Sequence, residues 1–313
     1  MMQQAYETAQ RLRENMESVL LGKSETIRSI VLTLLAGEHL LLEDVPGVGK
    51  TLAAKALAGS IDTTFSRIQF TPDLLPSDIT GSSIYRTDTQ DFQFNQGPIF
   101  ANVVLADEIN RAPPRTQSAL LEAMSDRQVS VDGTTYRLPQ PFIVVATQNP
   151  FEFAGTYVLP ESQMDRFLMR TDIGYPALES ERNVLESHRD GEPVESIQAV
   201  VSTDDVIAAQ QATRSVRFDD TLRDYLLEIV TQTRQSGTFR LGVSPRAALS
   251  FYRGCQARAI TEQRDFVTPD DVKQLAVSTL SHRVLLDDYL GDSNRAAAEE
   301  RMTEILRRVS VPV

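Results

Sequence analysis

The strongest constraint on the fold is one run of residues, Val45-Pro46-Gly47-Val48-Gly49-Lys50-Thr51-Leu52, which follows an apolar stretch and opens a helical one. That context suits a phosphate-binding loop. Glycines let successive backbone N–H groups turn inward around phosphate oxygens, and a helix N-terminus adds partial positive charge. In such a loop Lys50 reaches the β and γ phosphates of a nucleotide, and the Thr51 hydroxyl is offered to Mg2+. The usual pattern begins with glycine, whereas here that position is Asp44. Aspartate tolerates left-handed backbone better than most residues, so the loop is still expected to form. Glu43 and Asp44 nevertheless set two carboxylates near an anionic ligand. The plainer alternative is a glycine-rich turn between strand and helix that carries an exposed lysine.

Short β-rich runs at 39–44, 65–70, 103–107, 142–147 and 169–173 alternate with helical runs such as 51–60 and 116–126. This order predicts an α/β fold with a mainly parallel five-stranded sheet covered on both faces. Two amphipathic helical stretches, 6–20 and 24–36, precede it, and beyond Tyr175-Pro176 the strand signals stop. At 313 residues the chain exceeds what one core holds well, so two domains are expected: a phosphate-loop core over 1–175 and a smaller all-helical lid over 176–313, with the nucleotide between them. Ser244-Pro245 and Thr268-Pro269-Asp270-Asp271 each set a hydroxyl N-cap before a first-turn proline. Residues 128–131 and 134–137 alternate around Asp132-Gly133, a two-residue hairpin turn.

The run Asn102-Val103-Val104-Leu105-Ala106-Asp107-Glu108 is an apolar strand that ends in two acids, the first of them 57 residues beyond Lys50. An acid at a strand's carboxyl end can hold Mg2+ beside Thr51, and the next residue can orient and deprotonate an attacking water. Asp107 is therefore assigned to the metal and Glu108 to the water, against the alternative of a solvated acidic turn. A third strand ends Ala146-Thr147-Gln148-Asn149-Pro150 and brings an amide between loop and acids, although asparagine there is also ordinary turn chemistry. Two arginines, Arg166 and Arg246, are candidates for stabilising charge on transferring phosphoryl oxygens, as a guanidinium can. Most surface arginines are simply solvated or paired.

The net charge of −12, from 31 basic and 43 acidic residues, opposes nonspecific attraction to nucleic acid or anionic lipid. No apolar run approaches a membrane span. Cys255 is the only cysteine, so no internal disulfide forms, and it reads as a buried helical residue. His39, His188 and His282 do not cluster with it in a zinc-binding spacing. The opening residues lack the apolar segment of a secretory signal, and a bacterial-type cytoplasm is expected. Arg111 and Arg115 flank a helix start and suit a subunit boundary or pore as well as a paired surface. Phe92 and Phe94 alternate as in a strand and are expected to pack locally, and Glu299-Glu300 reads as a solvated helical face.

The loop, the acidic strand end, Asn149 and the two arginines together resemble the AAA+ superfamily. Within it, the segments at 42–51, 69–78, 108–114, 117–124, 146–150 and 159–167 are similar to MoxR-type ATPases, Asp44 included. That resemblance implies that Asn149 is the sensor 1 residue, Arg166 an arginine finger acting on ATP in a neighbouring subunit, and Arg246 the sensor 2 residue, acting in its own site or across the boundary. It further implies a homo-oligomer, in this family a hexameric ring, with ATP and Mg2+ as ligands and a von Willebrand factor A domain protein as partner. The work expected of such a ring is chaperone-like remodelling or maturation of client proteins. Residues 71–96 are expected to be an insertion and 128–138 a hairpin, both facing the ring pore. Two other classes remain open: a DNA-associated motor, and a nucleotide-gated interaction module whose turnover is slowed by the carboxylates near the loop.

Overall fold

The computed structural model describes residues 1–150, 155–189, 191–286 and 293–312. Helices α1 (Met2–Glu17) and α2 (Ser24–Ala36) lead into β1 (Leu40–Glu43) and α3 (Lys50–Ser60). There follow β2 (Ile61–Asp62), β3 (Phe65–Gln69), α4 (Pro76–Thr80), the pair β4 (Gly81–Arg86) and β5 (Asp91–Gln96), and β6 (Val103–Asp107). Helix α5 (Pro114–Asp126), the pair β7 (Gln128–Val131) and β8 (Thr134–Arg137), β9 (Ile143–Gln148), α6 (Glu161–Met164) and β10 (Met169–Thr171) complete the strand-rich part. The remainder is α7 (Leu178–Ser187), β11 (Val201–Ser202), α8 (Thr203–Arg214), α9 (Asp220–Gln235), α10 (Pro245–Thr261), α11 (Pro269–Leu280) and α12 (Ser293–Arg308).

Five strands form one parallel sheet in the order β10-β1-β9-β6-β3. The inner strands read as continuous apolar runs because both faces are covered: every residue of β1 and β6 is buried, whereas the edge strands β3 and β10 are mixed and only partly buried. Successive side chains serve opposite faces. Leu40, Leu42, Val103, Leu105, Ile143 and Val145 join the core made by α1, α2 and α3. Leu41, Val104, Ala106, Val144 and Ala146 join the other, with Leu120, Leu121 and Phe167. The first core runs on without a break into the helices after residue 176, through Val206, Ile229, Phe251, Val272 and Met302.

The strand signals do not quite stop at Pro176. Strand β11 pairs in parallel with β2, matching Val201 to Ile61 and Ser202 to Asp62. Two-residue strands carry no readable period, which is why the sequence hides them. Asp132 and Gly133 both adopt positive φ, 50° and 79°, as the expected hairpin turn requires. The insertion between β3 and β6 holds α4 and the β4–β5 hairpin. Its base closes on two glycines, since a Cβ on Gly81 would lie 2.2 Å from the Asn95 carbonyl and one on Gly97 2.3 Å from the Ile79 carbonyl. Phe92 meets Tyr85 within this hairpin, whereas Phe94 stacks on Tyr136 of the other hairpin at 4.1 Å. Phe94 also packs locally, edge-on against Phe100 at 5.7 Å, so the expected local packing is joined by a bridge between hairpins.

The Ser244 hydroxyl accepts from the Ala247 N–H at 3.0 Å, and the Asp271 carboxylate accepts the Thr268 N–H and hydroxyl, so both proline-marked helix starts are capped. Among the described residues no helix is long and apolar enough to cross a membrane. At the head of β1, buried His39 accepts the Val144 N–H at Nδ1 (3.0 Å) and meets the Met124 carbonyl at Nε2 (3.0 Å). The ring is therefore neutral with its proton on Nε2, and burial draws its pKa down to about 4. Because the folded pKa lies below the unfolded one, stability present above pH 6.5 is lost as pH falls towards 4. The expected loss from this group is roughly 3 kcal/mol, read as a fall in denaturation midpoint over that window that flattens in His39→Gln.

Candidate active site

Five parallel strands end at one edge of the sheet, and the candidate site is built there. The turn from β1 to α3 places Gly47 at φ 85° and Gly49 at φ 102°, backbone that only glycine adopts freely. Pro46, Gly47, Gly49, Lys50, Thr51, Asp107, Glu108 and Asn149 line one cleft of about 320 Å³. Val48 and Leu52 pack against the core beneath it. The Lys50 ammonium donates to the Asp44 carbonyl at 2.5 Å and reaches the Gln148 carbonyl at 3.5 Å. Burial draws its pKa below the usual lysine range, against the carboxylates of Asp44, Asp107, Glu108 and Glu43.

Asp44 does not face the cleft. Its Oδ1 accepts the Val45 N–H at 2.7 Å, and its Oδ2 accepts the N–H groups of Ile173 and Gly174 at 2.8 and 2.6 Å. The aspartate therefore fastens the loop to the point where the chain leaves β10, a task glycine cannot perform. Glu43 likewise turns away: its Oε2 lies 2.8 Å from Arg295 Nη1 and 3.6 Å from Arg170 Nη1. Glu299 pairs with Arg170 at 3.4 Å and Arg295 at 3.0 Å, so the solvated face expected of Glu299-Glu300 holds for exposed Glu300 and is corrected for Glu299. Glu299 belongs to a four-charge network that ties α12 to β1 and β10.

On the other side of the loop, buried Thr147 organises both acids. Its hydroxyl donates to Asp107 Oδ1 at 2.6 Å and accepts the Glu108 N–H at 2.9 Å. Asp107 Oδ2 takes Arg67 at 2.6 Å. Glu108 sits in left-handed backbone, φ 56° and ψ 50°, which for glutamate costs on the order of 1 kcal/mol or more. Its Oε2 accepts from Gln69 Nε2 at 2.8 Å and lies 3.2 Å from Arg111 Nε. Thr51 and Asp107 together offer one hydroxyl and one carboxylate, the sparse oxygen set that Mg2+ takes when phosphates and water complete its shell. The described residues hold no cluster of three or more histidines, cysteines or carboxylates suited to a metal. Buried Cys255 has its thiol pKa pushed well up by burial, so it stays a thiol.

Arg166 and Arg246 lie elsewhere. With Arg127, Arg253, Glu38 and Ser125 they line a separate pocket of about 150 Å³. Both guanidinium groups donate to the Ser125 hydroxyl, Arg246 at 2.9 Å, and Arg166 also donates to the Leu121 carbonyl at 2.5 Å. Burial, then the nearby Arg246 charge, lowers the Arg166 pKa. The two cations share one neutral oxygen, while the carboxylates of Asp126, Glu122 and Asp165 act on Arg166 in the opposite sense. Thus the structure gathers the loop, both acids and Asn149 in one cleft and both arginines in another. Thr147, Arg67 and the side chain of Gln69 escaped the sequence reading, and their one sequence signal is position: each lies in or at the carboxyl end of a strand beside β6.

A family model described as "ATPase family associated with various cellular activities (AAA)" matches residues 39–169. One described as "AAA lid domain" matches residues 231–305. The chain is 48% identical to the uncharacterized protein YeaC of Bacillus subtilis, over 96% of this chain and 93% of that one. It is 39% identical to chaperone MoxR1 of Mycobacterium tuberculosis, over 97% of this chain and 82% of that one. The crystal structure of a Cytophaga hutchinsonii protein superposes with a TM-score of 0.89 at 37% identity, covering 99% of this chain and 98% of that one.

The Asp44 geometry makes a counterintuitive prediction. Asp44→Gly restores the usual first glycine of a phosphate loop yet leaves three N–H groups without their acceptor. It is expected to cost about 2–4 kcal/mol, visible as a lower thermal midpoint, and to weaken nucleotide binding in a titration.

Proposed function

Because this chain belongs to the MoxR-type AAA ATPases, we propose that it hydrolyses ATP in sites shared between subunits of a homo-oligomeric ring and uses that cycle to remodel client proteins. The observation that carries the reading is the division of the machinery: one cleft holds loop and acids, and another pocket holds both arginines.

Backbone N–H groups of the loop bind the phosphates, and the Lys50 ammonium exchanges carbonyl partners for β and γ oxygens. Thr51 and Asp107 would hold Mg2+, directly or through water. When bound, the ion screens charge on the phosphate oxygens and helps to align them. Glu108 takes the proton from the attacking water. Its Oε2 is shared by Gln69 and Arg111, and those contacts must loosen for that oxygen to act as the base. Asn149 steadies the γ phosphate and that water from the end of β9. Arg166 and Arg246 serve the γ phosphate of the next subunit, where a guanidinium stabilises the spreading charge. Two arginines on one pocket favour action across the boundary for both.

The slowed, nonhydrolysing alternative rested on Glu43 and Asp44, and both carboxylates are engaged away from the cleft. Net charge continues to disfavour a nucleic-acid track. A six-membered ring, the two hairpins as pore elements and a von Willebrand factor A domain partner extend the proposal by family relation.

Specific ATPase activity with Mg2+ is expected to rise with protein concentration as rings form. Glu108→Gln should lose at least about 100-fold in turnover and Arg166→Ala about 1,000-fold or more, both while still binding ATP. A stable monomer that hydrolyses ATP at full rate and ignores Arg166→Ala would remove the shared site.

A further inference from the structure

The turn that carries Arg166 and the helix start that carries Arg246 come from distant parts of the chain, and one carboxylate joins them. Asp165 accepts the Ser244 hydroxyl at 3.1 Å on Oδ1 and 2.9 Å on Oδ2. Ser244 caps α10 immediately before Pro245 and Arg246. From the other side Arg283, whose side chain is 1% exposed, lies 3.7 Å from Asp165 Oδ1 and donates to the Phe167 carbonyl. His282 Nε2 meets that same carbonyl at 3.1 Å. Residues 165, 166 and 167 are thus held on both sides of the arginine, and Arg246 is held through the cap two residues before it.

Two guanidinium groups that converge on Ser125 repel each other, and Asp165 braces the backbone on which both are mounted. We infer that Asp165, set between Ser244 and buried Arg283, is the positioning residue that presents Arg166 and Arg246 as one rigid pair to the nucleotide of the neighbouring subunit. This rests on the shared-site reading above. Asp165 touches no phosphate; it acts through the two arginines, whose misplacement by about 1 Å suffices for a loss near 100-fold.

Mixed rings separate this role from a structural one. Glu108→Gln subunits lack the base but keep the arginines, and Asp165→Asn subunits keep the base but release the arginines. Alone, Asp165→Asn should bind ATP normally and turn over about 100-fold more slowly. Mixed equally with Glu108→Gln, it should regain activity at about one boundary in four, since head-to-tail contacts pair each site with one neighbour. Arg166→Ala mixed with Glu108→Gln is the reference and should regain activity in the same way. Ser244→Gly keeps the α10 start at small cost while cutting the link to Asp165, and its loss should also be restored by mixing.

If the Arg166→Ala mixture recovers and neither the Asp165→Asn nor the Ser244→Gly mixture does, the inference is overturned while the shared site stands. If no mixture recovers, the shared site falls and the inference with it. Full activity of Asp165→Asn alone, or its exclusion from rings, would also overturn the inference.

Discussion

Parallel pairing puts every carboxyl end of the sheet at one edge, and the chemistry depends on that constraint. Strand β1 delivers the phosphate loop there, β6 delivers Asp107 and Glu108, β9 delivers Asn149, and β3 delivers Gln69. Because β9 lies between β1 and β6, Thr147 reaches both acids while the Gln148 carbonyl lies near the loop lysine. The outer strand β10 supplies the fastening point for Asp44. A one-residue slip in any strand would turn these side chains to the wrong face.

The same chain carries a second cluster of charge, apart from the phosphate-loop cleft. Arg166 follows α6 and Arg246 opens α10, and Ser125 at the end of α5 receives both. Neither arginine lines the cleft that holds Lys50. Under the proposed shared site, a cleft is complete only when it meets a neighbour's arginines, and turnover would then report assembly. The four-charge network of Glu43, Arg170, Arg295 and Glu299 gives α12 a direct hold on β1, the strand that leads into the phosphate loop.

The parts legible in the sequence are those set by local rules. Gly47 and Gly49 are readable because the loop needs positive φ, the apolar strand runs because both sheet faces are buried, and Asp132-Gly133 because the turn has few alternatives. The illegible parts depend on distant partners. Asp44 looks like a defect in a motif until its acceptor role for Ile173 and Gly174, about 130 residues away, is seen. Glu299 looks solvated until Arg170 and Arg295 surround it. Arg67 in the middle of β3 and Gln69 at its end look ordinary, and only strand order sets them beside the acids. Strand β11 is too short to carry any period.

The most direct measurement of the central claim is a structure of the assembled Glu108→Gln protein with ATP and Mg2+. Each γ phosphate is expected to be held by Lys50 of its own subunit and contacted by Arg166 and Arg246 of the next. A γ phosphate reached by Arg166 and Arg246 of the subunit that binds it, or a ring in which neither arginine approaches a nucleotide, would contradict it.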